Sequence, residues 1–371
     1  MTTATAAPPL SAAEVARVGA QLTDGLARRI VGLDDVVEQV LITVLARGHA
    51  LLEGVPGLAK TMLLSSVADL LDLDFSRIQF TPDLMPSDVT GSEYLVHDVD
   101  TGEREFRFAP GPVFANLVLA DEINRAPPKT QAALMEAMEE RQVTSLGQSR
   151  PLGDPFVVLA TQNPIEQEGT YPLPVAQLDR FLFKIELTYP TFEQEMRIAR
   201  LVTSREPAPV PPVLDREGFR RLADGLARMP VPDVVKEHAV RLVQATRPQS
   251  GTAPESVREY IAWGAGPRAA QSLVLAARIR AALRGREQAS IGDVRALAPA
   301  VLRHRLVLTY AAEADGRGPD AVVAELLEAL RPAGESTSRP RPWWRRAWDQ
   351  LTQPPAVRAR RAREELLRRP A

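Results

Sequence analysis

The sequence predicts an α/β fold: a parallel five-stranded sheet covered by helices, with two hairpin insertions, followed by an all-α domain. Short apolar runs alternate with helical patterns, which is typical of a parallel sheet with helices on both faces. Two hairpin-like patterns, 94–108 and 142–152, interrupt this alternation, and 215–330 is helical without a convincing strand. The apolar runs are 49–53, 75–80, 116–120, 156–160 and 181–187.

Two helices are predicted before the first strand. After an N-terminus that is expected to be disordered, Ser11 and Glu14 have the spacing of a capping box, which marks the start of a helix. Apolar residues at helical spacing follow in both helices. They are Val15, Val18 and Leu22 in the first helix and Val36, Val40, Val44 and Leu45 in the second.

A phosphate-binding loop follows the first apolar run. It consists of Gly54, Val55, Pro56, Gly57, Leu58, Ala59, Lys60 and Thr61. Small residues let backbone N–H groups turn toward a polyphosphate, and the next helix offers the positive end of its dipole. Lys60 is expected to reach the outer phosphates and Thr61 to ligate Mg²⁺. A nucleoside triphosphate is the predicted ligand, and a glycine-proline turn with a chance Lys-Thr pair is the alternative for this motif alone.

Two details of this loop concern its alanine and its lysine. The usual pattern has a glycine directly before the lysine, where this chain has Ala59; a negative φ at the helix entry would allow alanine there. Only four of the 45 basic residues are lysines, so Lys60 stands out from an arginine-rich composition. Its compact ammonium suits a phosphate oxygen as a point charge.

Acidic and amide side chains follow two later apolar runs. Asp121 and Glu122 follow 116–120, at the strand end where an open α/β sheet places its ligand site. Asp121 can hold the Mg²⁺ shell, and Glu122 can polarise the attacking water. Asn163, after 156–160, can orient water near the γ-phosphate without adding negative charge. An asparagine that begins a turn before proline is an equal alternative for that residue alone.

Two arginines stand at the boundaries of predicted elements. Arg180 comes directly before the last apolar run, and Arg268 stands at the start of the apolar helix pattern 269–283. Because arginine is the default cation of this chain, either position by itself carries little information.

These segments together resemble an AAA+ ATPase and match the MoxR family closely over roughly residues 30–330. One departure is Val175, which stands where the family usually has a glutamate after Pro174. The segments that carry the resemblance are 54–61, 119–131, 136–143, 160–164 and 168–174.

The resemblance implies an AAA+ P-loop NTPase fold in which the two hairpins are the helix-2 and pre-sensor-1 insertions of that branch. It also implies a role for each candidate site residue. These are a Walker A loop at 54–61, a Walker B pair at Asp121 and Glu122, sensor 1 at Asn163, an arginine finger at Arg180 and sensor 2 at Arg268.

The same resemblance implies ATP hydrolysis with Mg²⁺ in a homo-oligomer, expected to be a hexameric ring. Arg180 would reach the γ-phosphate held by a neighbouring subunit, and Arg268 would couple the helical lid to the bound nucleotide. The energy would serve chaperone-like remodelling or activation of a protein client. For this family the client is often a protein with a von Willebrand factor A domain, and no residue of this chain identifies it.

Composition limits other classes of function. The 371 residues include no cysteine and four scattered histidines, so disulfides and thiolate metal sites are excluded and a zinc site is not expected. The N-terminus lacks the basic and apolar regions of a signal peptide, and no run of 18 apolar residues occurs. A cytoplasmic protein is therefore expected. Nucleic acid is not an expected partner, because the chain outside its basic tail is acidic.

The tail is the most basic part of the chain, with ten arginines and four acidic residues in 335–371. Tryptophans at helical spacing in 343–371 favour an amphipathic helix that docks on a partner, packs on the body or binds anionic lipid. A flexible tail is the alternative. The predicted segments are a disordered N-terminus at 1–12, a nucleotide-binding domain at 13–190, a helical lid at 191–331 with a proline-rich linker near 206–212, and the tail at 332–371.

Two other functions share this site architecture. A nucleotide-gated scaffold would bind ATP with little turnover, but it would need neither Glu122 nor Arg180. A DNA-dependent AAA+ motor would use similar insertions, but neither hairpin tip carries a cluster of basic residues. A turnover assay and a salt-dependent DNA-binding assay distinguish these alternatives from a protein-remodelling ATPase.

Overall fold

Strands and helices alternate along the residues that the computed structural model describes, which are 11–55, 57–97, 104–145, 147–164, 169–202 and 211–331. The strands are β1 (Ala50–Glu53), β2 (Phe75–Gln79), β3 (Gly91–His97), β4 (Arg104–Pro110), β5 (Leu117–Asp121), β6 (Gln142–Ser145), β7 (Gln148–Pro151), β8 (Val157–Gln162), β9 (Phe183–Glu186), β10 (Ile261–Trp263) and β11 (Val307–Leu308). The helices are α1 (Ala12–Ala27), α2 (Asp34–Leu45), α3 (Lys60–Leu71), α4 (Pro86–Thr90), α5 (Pro128–Glu140), α6 (Val175–Leu178), α7 (Phe192–Val202), α8 (Arg216–Arg228), α9 (Asp233–Ala245), α10 (Glu255–Tyr260), α11 (Pro267–Leu283), α12 (Ile291–Leu302), α13 (Tyr310–Ala314) and α14 (Pro319–Ala329).

Five strands form one sheet in the order β2-β5-β8-β1-β9. All four neighbouring pairs are parallel. The predicted five-stranded parallel sheet is therefore confirmed, and each predicted apolar run overlaps one of its strands. In β1, β5 and β8, consecutive residues such as Leu51 and Leu52 are both buried, which explains why these three strands read as continuous apolar runs.

Two hydrophobic cores cover the two faces of this sheet. Leu52 and Leu119 belong to the core that contains α1, α2, α3 and the lid helices. Leu51 and Val118 belong to the other core, with α4 and α5. Neighbouring residues of a strand thus point into different cores, as the two-residue period of a strand requires.

Both predicted hairpins are present. β3 and β4 pair antiparallel, and so do β6 and β7. The connecting residues 98–103 and residue 146 lie outside the described part of the chain. The two hairpins contact each other, because the Arg150 guanidinium donates a hydrogen bond to Glu93 at 3.3 Å and lies 4.2 Å from the centre of the Phe108 ring.

The lid is helical from α8 to α14, with one difference from the prediction of an all-α domain. β10 and β11 form a two-stranded antiparallel sheet in which Ile261 pairs with Leu308 and Trp263 with Val307. Strands of three and two residues are too short to show an alternating pattern, and their pairing joins segments that are distant in the sequence. The sequence pattern therefore could not indicate this small sheet.

A buried ion network joins the lid to the α/β part. Glu38 on α2 accepts hydrogen bonds from the Arg284 guanidinium at 3.1 and 3.3 Å and pairs with Arg280 at 3.4 Å. Arg280 also donates to Asp293, near the start of α12, at 2.8 Å. These side chains are at most 12% exposed, so the lid and the α/β part are packed through paired charges as well as through the core.

The described residues begin at Ser11 and end at Arg331, so they cover only some of the predicted segment boundaries. Ser11 caps α1, and its capping box with Glu14 is confirmed, so Ala12 is helical although it falls in the segment 1–12 that was expected to be disordered. The predicted tail 332–371, including 343–371, and most of the linker 206–212 lie outside the described residues. Among the helices described, none is long and apolar enough to span a membrane.

Candidate functional site

The phosphate loop connects the carboxyl end of β1 to α3. Gly54 begins it in close contact with the segment after β9: a Cβ at Gly54 would lie 2.7 Å from the Leu187 Cβ, so glycine is required there. Gly57 has φ +85°, and a Cβ there would meet nothing within 4 Å, so the loop is open on that side. Pro56 lies outside the described residues. The open space beside Gly57 and the helix N-terminus at Lys60 are features that suit an anion.

Ala59 corrects one expectation about this loop. Its φ is 53° and its ψ is 24°, which is the left-handed conformation and not the helix entry with negative φ. It directly precedes α3, and its carbonyl accepts the Leu63 N–H at 2.9 Å. An L-residue in this region carries steric strain that glycine avoids. The usual glycine at this position therefore has a conformational reason, and this chain tolerates the strained alternative.

Lys60 lies at the mouth of the loop beside the acidic pair. Its ammonium donates to the Gly54 carbonyl at 3.0 Å and the Val55 carbonyl at 3.5 Å. Burial lowers the pKa of Lys60, while the charges of Asp121 and Glu122 oppose that shift. The lysine is thus held close to both acids, as the sequence-based assignment of one site required.

Asp121, at the end of β5, is fixed by two neighbouring strands. Its carboxylate accepts a hydrogen bond from the Thr161 hydroxyl on β8 at 2.7 Å. It also accepts two hydrogen bonds from the Arg77 guanidinium on β2, at 2.6 and 3.2 Å. These contacts keep the carboxylate at the carboxyl edge of the sheet, where it can serve as a metal ligand.

Glu122 adopts the left-handed conformation, with φ 58°, directly after β5. Its backbone N–H donates to the Thr161 hydroxyl at 2.8 Å, so one hydroxyl positions both acids. Its carboxylate accepts hydrogen bonds from the Gln79 side-chain amide at 2.9 Å and from Arg125 at 3.0 Å. Sequence reasoning missed Gln79 and Thr161 as partners, since only the sheet order brings β2 and β8 next to β5.

Asn163 follows β8 and is buried. It lines a cavity of about 280 Å³ at the carboxyl ends of β1 and β8, together with Glu53, Gln162 and Asn124. The Asn124 side-chain oxygen is buried and has no hydrogen-bond partner among the described residues. The cavity therefore offers polar atoms of the kind that hold water, next to the end of the strand that carries Asn163.

Arg180 and Arg268 lie at the opposite edge of the sheet. The phosphate loop follows the carboxyl end of β1, whereas Arg180 precedes the amino end of the parallel neighbour β9. Two hydrogen bonds run from Arg180 to Glu139, at the end of α5, with Nε at 2.8 Å. Arg268, at the start of α11, donates to the other oxygen of Glu139 at 3.1 Å.

The two sets of residues are therefore separated by the sheet. A four-residue strand alone spans roughly 13 Å. Arg268 lies beside Arg180 and apart from the phosphate loop of its own chain, and its predicted coupling of the lid to a bound nucleotide stays a prediction. Helix α11 approaches the edge at which the strands begin, and the sequence pattern carried no information about that direction.

The side chains at the carboxyl edge, with the Lys60 ammonium for phosphate and the oxygens of Thr61 and Asp121 for a metal ion, fit ATP with Mg²⁺. Thr61 in the first turn of α3 is exposed, and its hydroxyl and the Asp121 carboxylate are the hard oxygen ligands that Mg²⁺ prefers. Within the described ranges, no group of three or more His, Asp or Glu residues could hold a metal by itself. A shared shell of one or two protein ligands with phosphate oxygens is the usual way in which Mg²⁺ binds with nucleotides.

Comparison with known proteins places this chain in a family. Residues 49–183 match the profile of the "ATPase family associated with various cellular activities (AAA)", and residues 254–326 match an AAA lid domain. The chaperone MoxR1 of Mycobacterium tuberculosis is 46% identical over 303 residues, which are 82% of this chain and 79% of MoxR1. YeaC of Bacillus subtilis is 44% identical over 305 residues, 82% of this chain and 91% of YeaC.

A solved structure has the same fold. The crystal structure of an ATPase candidate from Cytophaga hutchinsonii superposes with a TM-score of 0.80 at 38% identity, covering 86% of this chain and 96% of that one. The family matches and the solved structure agree with the order of sheet, hairpins and lid found in this chain. The chain belongs to the MoxR family of AAA ATPases.

Proposed function

We propose that this protein hydrolyses MgATP in an oligomer whose active sites are completed between subunits, and that it uses the energy to remodel or activate a protein partner. The observation that supports the proposal best is the separation of the two halves of the site. The phosphate loop and the acidic pair lie at one edge of the sheet, and Arg180 and Arg268 at the other. A ring of identical subunits would bring these two edges together.

Nucleotide binding would be carried by the loop and by Lys60. Backbone N–H groups of the loop would surround the phosphates, and the Lys60 ammonium would exchange the Gly54 and Val55 carbonyls for phosphate oxygens. That exchange is favourable because the ammonium is partly buried and a phosphate anion compensates its charge better than two carbonyl groups. Thr61 and Asp121 would hold the Mg²⁺ ion, which when bound neutralises charge on the phosphate oxygens.

Hydrolysis would be carried by Glu122 and Asn163. Glu122 would accept a proton from the attacking water, and its contacts with Gln79 and Arg125 hold the carboxylate at the edge of the site. Asn163 would orient that water from the end of β8. The cavity at this strand end, about 280 Å³, is large enough for water beside Asn163.

Arg180 and Arg268 would act on the nucleotide of a neighbouring subunit. Guanidinium groups suit the charge that develops on the transferred phosphoryl group, and an arginine supplied by a second protein is worth roughly 10³ to 10⁵ in rate for related reactions. A hexameric ring is what the family resemblance implies, and it is part of this proposal.

The partner is proposed to be a protein. One relative is named a chaperone, and for MoxR-like ATPases, which this chain resembles, the client is often a protein with a von Willebrand factor A domain.

The test of this function is the turnover of Arg180→Ala. The variant should bind MgATP as tightly as the wild type, because the arginine is far from its own phosphate loop, and it should lose steady-state hydrolysis by roughly 10³-fold or more. Arg241→Ala is the matched control, since Arg241 is exposed on α9 and pairs with Glu237 at the surface. Retained turnover in Arg180→Ala would remove the arginine from the mechanism.

A further inference from the structure

Glu139 connects the two arginines to each other. One of its oxygens accepts hydrogen bonds from Nε and Nη2 of Arg180, and the other accepts from Arg268 at 3.1 Å. The carboxylate lies at the end of α5, whereas Arg180 precedes β9 and Arg268 begins α11. Glu139 therefore joins three elements that are distant in the sequence, one of which belongs to the lid.

The backbone that carries Arg180 is already fixed by a different residue. Arg305, with a side chain that is 2% exposed, donates to the Asp179 carboxylate at 2.8 Å and to the carbonyl of Phe181 at 2.6 Å. It also donates to the Leu182 carbonyl at 3.3 Å. These bonds hold the turn around position 180, but they leave the long Arg180 side chain to be oriented by its own contacts.

Charge gives Glu139 a second effect. Two guanidinium groups that share one site repel each other, and the shared carboxylate offsets that repulsion and leaves a net charge of one positive unit. The hydrogen bonds from Arg180 and then from Arg268 hold the pKa of Glu139 below its ordinary value, so it stays ionised at neutral pH. Within the described residues, Nη1 of Arg180 and Nε and Nη1 of Arg268 make no hydrogen bond, so each guanidinium keeps donors for a phosphate.

We propose that Glu139 is a positioning residue for the hydrolysis reaction: it holds Arg180 and Arg268 together as one unit that acts on the nucleotide of the neighbouring subunit. This inference rests on the proposed function. It makes Glu139 part of the subunit that donates the arginines and not of the subunit that binds the reacting nucleotide. Because Arg268 lies at the start of the lid helix α11, the shared carboxylate also makes the orientation of the Arg180 side chain depend on the position of that helix.

The first experiment compares Glu139→Gln with Glu140→Gln, the adjacent exposed glutamate at the end of α5. Glu139→Gln should lower kcat by about 10- to 100-fold, the effect expected of a misplaced catalytic group, and should leave KM for MgATP unchanged. Glu139→Asp keeps the charge and should recover part of the loss. Glu140→Gln should keep the wild-type kcat. Thermal melting checks the fold, because exposed ion pairs contribute little to stability and all three variants should remain folded.

The second experiment measures in which subunit Glu139 acts. Glu139→Gln has an intact phosphate loop, and Lys60→Ala has an intact arginine edge, so mixed oligomers should hydrolyse ATP faster than either variant alone. A mixture of Glu139→Gln with Arg180→Ala should show no such gain, because both variants are impaired at the same edge. A gain in the second mixture, or none in the first, would contradict the proposal.

Coupling between the side chains completes the test. In an Arg268→Ala background, Glu139→Gln should reduce kcat much less than it does in the wild type, since there is no longer a pair to hold together. Equal losses in both backgrounds would mean that Glu139 acts independently of Arg268, and the inference would fail. If Arg180→Ala lowers turnover while Glu139→Gln keeps the wild-type kcat, this inference fails and the proposed function stands. If Arg180→Ala itself retains turnover, the proposed function fails as well.

Discussion

Acidification is expected to destabilise this protein through His49, a buried histidine directly before β1. Its Nδ1 accepts the Val158 N–H at 2.9 Å, so its Nε2 carries the proton and donates to the Met138 carbonyl at 3.3 Å. A second proton on Nδ1 would face the Val158 N–H. Burial lowers the pKa of His49 from 6.5 to about 4, and the charge of Arg141 adds to that shift.

The magnitude follows from the difference between the two states. In the unfolded chain His49 binds a proton near pH 6.5, whereas the folded protein resists protonation until about pH 4. Between these values the unfolded state binds more protons, so the free energy of unfolding falls as the pH falls. The stability is fully present above pH 6.5, and a shift of this size corresponds to about 3 kcal/mol lost by pH 4.

The assay is urea unfolding of the wild type and of His49→Gln at several pH values between 7 and 4. Glutamine keeps a donor and an acceptor without titrating, so the variant should have a shallower pH dependence, even if it is less stable at pH 7. His97→Gln, at an exposed position on β3, is the control for replacing a histidine by glutamine. His304, whose pKa burial also lowers, is present in all three proteins and cancels in the comparison. Equal slopes for the wild type and His49→Gln would refute the reasoning.

Two further predictions concern backbone strain and buried charge. Ala59→Gly should raise the free energy of unfolding by about 1 kcal/mol, because glycine relieves the left-handed strain at φ 53°, whereas Ala132→Gly on the exposed face of α5 should lower it by about 1 kcal/mol. Calorimetric melting of both variants checks the opposite signs, and a change of the same sign in both would contradict the strain. Glu38→Gln should cost about 3 kcal/mol or more in urea unfolding, because it leaves the buried Arg284 without its charge partner and Arg280 with Asp293 alone. Glu237→Gln, in an exposed pair on α9, should cost less than about 1 kcal/mol, and similar losses for the two glutamates would argue against the buried network.

Local patterns were sufficient to predict most of the fold. The strands β5 and β8 are buried on both faces, so they appear as apolar runs in any reading of the sequence. The capping box at Ser11 specifies the start of α1 by itself, since both of its hydrogen bonds are local. The pair β10 and β11 could not be predicted, because its two short strands are stabilised by a non-local pairing.

The candidate site also contains residues that local patterns predict and residues that depend on non-local packing. Lys60, Asp121 and Glu122 could be assigned because loop chemistry and strand ends are local features. The hydroxyl of Thr161 that positions both acids could not be assigned, because it depends on β8 lying beside β5. The place of Arg268 depends on how the whole lid packs, and no local pattern encodes that direction.

The conformation of Ala59 shows a further limit of sequence reasoning. The residue type suggested a negative φ, since alanine prefers it, but the turn that leads from Gly57 into α3 requires a positive one. The requirement of the loop outweighs the preference of a single residue, at a cost of about 1 kcal/mol. Strain at functional loops is a common result of this kind of competition.

The most direct test of the central claim, that each active site is shared between two subunits, is ATP hydrolysis by mixed oligomers. Lys60→Ala removes the phosphate-binding side of a subunit, and Arg180→Ala removes the arginine side. Each variant alone should be inactive. When the two are co-assembled, an Arg180→Ala subunit that binds ATP beside a Lys60→Ala subunit that supplies Arg180 has a complete site, so turnover should reappear. Mixed oligomers that are shown to form and yet stay as inactive as the parents would contradict the account.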